Sequence, residues 1–134
     1  MSTTEMITAH PNPADNLDVA KLADAIDAAL ACAQTCTACA DACLAEDMVA
    51  ELRDCIRTDL DCADICATTA AVLSRRTGSN MTVLKAQLEA CQTACATCAE
   101  ECESHAEMHE HCRICAEACR RCEQACADLL ATVG

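Results

Sequence analysis

Residues 32–43 read CAQTCTACADAC, with four cysteines spaced C-x3-C-x2-C-x3-C. Steps of four, three and four residues return to one face of an α-helix, the stripe that such a helix points at its partners. Cys32, Cys36, Cys39 and Cys43 therefore share a face. The same device returns as CQTACATCAEEC at 91–102 and CRICAEACRRCEQAC at 112–126. These put Cys91, Cys95, Cys98 and Cys102 on one stripe and Cys112, Cys115, Cys119, Cys122 and Cys126 on another. A further segment carries Cys55, Cys62 and Cys66, and the step missing from its series falls on Asp59. A duplicated helical hairpin explains the likeness of the two halves.

Working outward, both prolines, Pro11 and Pro13, fall in residues 1–14, which read as a flexible N-terminal arm. From Asp15 onward there is no proline, and Gly78 is the only internal glycine. Nearly continuous helix is expected over 15–134, broken at 45–47, at 76–80 with a Gly stop and an Asn or Ser cap, and at 103–107. That gives helices at about 16–45, 48–76, 81–104 and 107–132. Short connections make consecutive helices antiparallel neighbours, so the expected fold is all-α, an antiparallel up-down four-helix bundle with a cysteine-lined core.

Apolar residues make up 53% of the 134, yet there is no Phe, Tyr or Trp, and Ala and Cys supply most of that share. Side chains this small remove little apolar area from water, so something else is expected to fill the interior. The 16 cysteines would mean a disulfide scaffold in a short secreted chain. The opening MSTTEMITAHPNPADN has no basic region followed by an apolar run and no twin arginine, so a cytoplasmic location is expected. There thiols stay reduced and a dense cysteine pattern points to metal. No apolar stretch approaches the roughly 18 residues of a membrane span. A net charge of -13 disfavours nucleic acid and suits either attraction of cations or a merely solvated acidic surface.

Extending the stripes distinguishes two poles. Leu22, Ile26 and Leu30, then Leu73, then Met81, Leu84 and Leu88, then Leu129 and Val133 meet at one end as an aliphatic plug. At the other end the steps reach Leu52 and Met48, His105, and Met108 with His109 and His111 beside it. Thioether, imidazole and the Asp59 carboxylate there suggest a mouth to a tube of thiols roughly 15–20 Å long at about 1.5 Å per residue.

Cysteine as a plain buried hydrophobe accounts for one or two such residues but not for 16 at positions where Leu would stabilise more. Disulfides along a helix fail on geometry, since i,i+4 Cβ atoms lie about 5–6 Å apart and a bridge needs about 3.5–4.5 Å; bridges between helices remain open as an oxidation product. Thiolate with thioether is a soft donor set that selects Cu(I), zinc or iron–sulfur clusters. Zinc sites are usually discrete tetrathiolates on C-x2-C turns, and the C-P ending common at iron–sulfur sites is missing. Cu(I) accepts two or three sulfurs, so i,i+4 pairs in continuous series suit many Cu(I) ions, with a zinc or other soft-metal buffer of metallothionein-like role as the alternative. There is no Ser/His/Asp set, phosphate loop or C-x2-C redox pair at a strand-to-helix junction, so a store rather than an enzyme is expected.

With these repeats on helices and His and Met at one end, the chain over about 16–132 resembles the bacterial four-helix-bundle copper storage proteins of the cytosolic branch. The resemblance implies storage of many Cu(I) ions, a homotetramer, and an intake site of His and Met. That site carries over to His105, Met108, His109 and His111, with Met48 beside them; Asp59 either helps ions enter or leaves a gap in the series. Copper ions would arrive from a cytosolic copper chaperone or low-molecular-weight thiols. Neutral imidazoles are needed for ligation, which favours function above roughly pH 6.5.

Overall fold

The computed structural model describes residues 3–12, 17–78 and 80–133. Pro13, the expected helix start near 16 and Ser79 lie outside them. Among the described residues there are five α-helices and no strand: α1 (Thr3–Ala9), α2 (Val19–Leu44), α3 (Arg53–Ser74), α4 (Met81–Glu103) and α5 (Glu110–Leu130). Asp18 caps α2 by accepting from the Lys21 amide at 3.0 Å, and Asn80 caps α4 by accepting from Val83. Each side chain satisfies one of the amides that a helix start leaves without a partner. Gly78 stands just before the second cap at φ 76°, a left-handed conformation that favours glycine.

The four long helices form an antiparallel bundle in which α2 packs on α3 and α5, and α4 packs on the same two. Two boundaries differ from the spacing argument. The segment from 48 enters through a 3-10 turn, Val49–Leu52, before α3 begins at Arg53. The last helix begins at Glu110 rather than near 107, because residues 104–108 form turns in which the His109 amide donates to the His105 carbonyl.

All 16 cysteines point inward and are at most 2% exposed. At the plug pole Leu22, Leu73, Leu88 and Leu129 are fully buried, with Ile26, Leu84 and Val133 beside them in the same core. Leu30 is not part of the plug: it is 40% exposed and Ala29 is buried instead. Leu30 lies only two residues from Cys32, and residues two apart on a helix do not face the same way. Thr69, unremarked in the sequence, is buried on α3, where it donates to the Ile65 carbonyl and accepts from Gln87. Within the stretch expected as an arm, α1 buries Ile7, Thr3 donates to Asp27 of α2, and Arg76 donates to the Ile7 and Asn12 carbonyls.

Candidate metal centre

Because each stripe faces the bundle axis, the thiols of four helices interleave rather than pair off. Sulfur atoms approach at 3.5 Å (Cys36 and Cys119), 3.6 Å (Cys36 and Cys115; Cys66 and Cys95), 3.8 Å (Cys32 and Cys62; Cys66 and Cys91) and 3.9 Å (Cys91 and Cys122; Cys98 and Cys102). Two sulfurs each about 2.3 Å from one ion lie roughly 3.8 Å apart in a tetrahedral site and roughly 4.6 Å apart in a linear one. The spacing thus sits near what soft-metal ligation needs, and small side-chain movements cover the rest.

Membership is more informative than distance. Sets of four ligand atoms mutually within 4.8 Å include Cys32, Cys66, Cys95 and Cys122, then Cys32, Cys36, Cys62 and Cys119, then Cys36, Cys98, Cys115 and Cys119. Cys32 belongs to two of these sets, and so do Cys36 and Cys119. Discrete tetrathiolate sites would each own their ligands, whereas shared sulfurs are what bridging thiolates require. Beyond the sequence argument, this sharing favours many adjacent ions over a few isolated ones.

Toward the other end the tube changes chemistry. Asp59 is fully buried on α3, where its Oδ1 accepts from the thiols of Cys98 at 3.0 Å, Cys115 at 3.3 Å and Cys102 at 3.4 Å. Its Oδ2 lies 4.0 Å from Cys55 Sγ. Burial, with the neighbouring Cys115 and Cys98 adding to it, pushes the carboxyl up to about 12, so without metal it stays protonated. Asp59 with Cys39, Cys102 and Cys115 forms a further set within 4.8 Å, so the gap in the cysteine series is filled by an oxygen donor.

That burial has a sign. A carboxyl protonated in the native protein but ionised in the unfolded chain above about pH 4 makes stability fall as pH rises toward the native value. Asp59→Asn removes this dependence. Unfolding of metal-free, reduced protein in urea at pH 5 and pH 7.5 is expected to show the variant gaining on the parent by up to about 1.4 kcal/mol per pH unit. A difference independent of pH would mean that Asp59 is ionised in the native state.

The end expected to form a mouth is built from two connections, 45–52 and 104–109. His111 directs Nδ1 at Cys39 Sγ, 3.3 Å away, and Cys112 Sγ, 3.6 Å away, and it joins Cys39, Cys43 and Cys112 in one set of ligand atoms within 4.8 Å. Burial draws the His111 imidazole down, but hydrogen bonds to Cys39 and Glu46 outweigh it and the net shift is upward. Burial pushes the Cys43 thiol up to about 11 and moves Cys112 the same way, so a metal ion held here would have to displace protons. His105 and His109 are mostly buried, and Nδ1 of the first and Nε2 of the second have no hydrogen-bond partner. A buried imidazole nitrogen without a partner is costly for the fold and suited to a soft metal ion.

The methionines fare differently. Met48 is half-buried against the core, whereas Met108 is 59% exposed. Stepping back four residues from Cys112 assumed continuous helix, but α5 starts only at Glu110, so Met108 falls out of phase. Two residues that the sequence reading passed over also belong here. Glu46 contacts both His109 and His111, and Glu101 contacts His105. The i,i+4 spacing of Glu101 and His105 was a usable signal; nothing local places Glu46 beside histidines more than 60 residues away.

The family model described as copper storage protein matches residues 18–131. The copper storage protein Ccsp from Streptomyces lividans, loaded with 10 copper equivalents, is 56% identical over 96% of this chain and 98% of its own, with a TM-score of 0.95. A cytosolic copper storage protein from the same organism, with five coppers, is 63% identical over 86% of this chain and 96% of its own, with a TM-score of 0.85. The uncharacterized cysteine-rich protein YhjQ of Bacillus subtilis is 38% identical over 79% of this chain and 93% of its own length.

Proposed function

The chain belongs to the copper storage protein family, and from that premise we propose that it takes in Cu(I) at the histidine mouth and holds many ions along the tube. Each ion sits between two or three of the 16 cysteine thiolates, and each thiolate bridges to the next ion. The sharing of Cys32, Cys36 and Cys119 between neighbouring ligand sets carries this reading. His105, His109 and His111 capture the ion, with Met48 and Met108 at the rim. Cys39, Cys43 and Cys112 receive it, being the thiols grouped with His111. Asp59 supplies an oxygen donor where the cysteine series is interrupted.

The donor set suits a buffer of many similar sites, so we read the protein as a store and not an enzyme. Copper is delivered by a cytosolic copper chaperone or by low-molecular-weight thiols, and the location is cytoplasmic. Among the described residues no helix is long and apolar enough to cross a membrane. The assembly is read as a homotetramer, as the resemblance to the copper storage proteins implies.

Anaerobic titration of the reduced protein with Cu(I), counting bound metal per chain after gel filtration, tests the reading. A count near the number of thiols is expected, with Zn(II) far lower. About four ions of either metal would point instead to discrete tetrathiolate sites of a zinc-type protein.

A further inference from the structure

Glu46 lies in the connection between α2 and α3, yet a single oxygen of its carboxylate reaches two histidines at the start of α5. Oε2 is 3.0 Å from Nδ1 of His109 and 2.9 Å from Nε2 of His111. The two rings stack with centroids 5.4 Å apart and planes inclined by 11°. An ionised carboxylate only accepts, so the nitrogen facing it on each ring must carry the hydrogen. A neutral imidazole has one N–H, which leaves the other nitrogen of each ring as a bare lone pair. On His109 that is Nε2, buried and without a partner. On His111 it is Nδ1, the atom 3.3 Å from Cys39 Sγ.

The two histidines are thereby held in opposite tautomers by one acceptor. Had His111 carried its hydrogen on Nδ1, or His109 on Nε2, the nitrogen turned away from Glu46 would have no lone pair for metal. We propose that Glu46 is a positioning residue for copper uptake, fixing the tautomers of His109 and His111 so that Nε2 of the first and Nδ1 of the second are presented as ligands. The proposal rests on the reading of these histidines as the mouth. Metal-ligating histidines commonly donate their other N–H to a carboxylate, which also raises their basicity toward the metal. Glu101 repeats the arrangement at His105, accepting from Nε2 at 3.4 Å while Nδ1 stays buried and unpartnered. All three mouth histidines thus show the same polarity, with one nitrogen on a carboxylate and the other free or facing a thiol.

Long-range 1H–15N NMR of the metal-free, reduced protein at pH 8 reads the tautomers directly. Stopped-flow transfer of Cu(I) from a chromophoric chelator reads uptake. In the parent, His109 is expected as the Nδ1–H tautomer and His111 as the Nε2–H tautomer. Glu46→Ala should mix them and slow uptake about 10-fold, with the final copper count unchanged. Glu46→Gln, whose amide oxygen still accepts, should recover most of the rate. Glu46 is about one-third exposed, at 31%, and sits in a connecting segment, so these variants retain the bundle. Parental tautomers and rate in Glu46→Ala, together with slow uptake in a His109→Ala/His111→Ala variant, would overturn the role of Glu46 and leave the mouth standing. Parental uptake in the double histidine variant would overturn the mouth itself, and loss of copper count in Glu46→Ala would show a structural role instead.

Discussion

Loading with Cu(I) is expected to raise the melting temperature by tens of degrees. The metal-free core is a poor source of stability, since its fully buried large side chains are few and most of the interior is cysteine and alanine. Each thiol replaces a side chain such as Leu that would remove more apolar area from water. Bound metal would supply what the core lacks, because an ion held by sulfurs of α2, α3 and α5, such as Cys32, Cys62 and Cys119, would tie three helices at one point. Binding to the native state alone adds about 2.7 kcal/mol per ion at a free concentration 100 times Kd. Four independent ions already give roughly 11 kcal/mol on that scale. At about 2–8 °C per kcal/mol for domains bracketing this length, the shift is tens of degrees. Differential scanning calorimetry of the anaerobic protein with stepwise Cu(I) additions measures it. A melting curve that stays put while copper binds would mean that the unfolded chain binds Cu(I) as tightly as the native one, so that the metal does not complete the fold.

Much of this architecture was legible because one physical rule, the period of the helix, governs both fold and site. Steps of three and four that bury Cys32, Cys36, Cys39 and Cys43 also aim them at partners, so the stripes gave the bundle and the tube together. That period carries nothing across the connections between helices. Met108 was reached by counting back from Cys112 across the start of α5, and it stands in solvent. Leu30, expected in the plug with Leu22 and Ile26, turns outward because its angle on α2 gives the inward position to Ala29. Asp59 was visible as a gap in a series, but its three thiol contacts come from two other helices and needed coordinates. Glu46 lay in a short turn, a position that carries no periodic information, and only the closing of the bundle brings it to His109 and His111.

Replacing all 16 cysteines by Ala and Leu, chosen to conserve total volume, is expected to give a folded helical bundle that retains no copper. Cores accept extensive apolar substitution when volume and pattern are kept, and Leu adds burial that Cys does not provide. The sharper form of the test uses four thiols at the plug end, Cys66, Cys91, Cys122 and Cys126. Sulfurs of the first three lie within 4.0 Å of one another. In a tube of bridging thiolates, capacity scales with the sulfur available, so removing four of 16 should lower the count by about four ions. The sites nearer the mouth, among them Cys39, Cys43 and Cys112, would fill as before. Discrete sites predict otherwise, because the loss would come as one whole ion or none. Copper per chain after gel filtration, with circular dichroism on the same samples to confirm the helices, separates the two. Undiminished capacity in the four-cysteine variant would place the stored copper outside the plug half of the tube, and full retention without any cysteine would remove thiolate storage altogether.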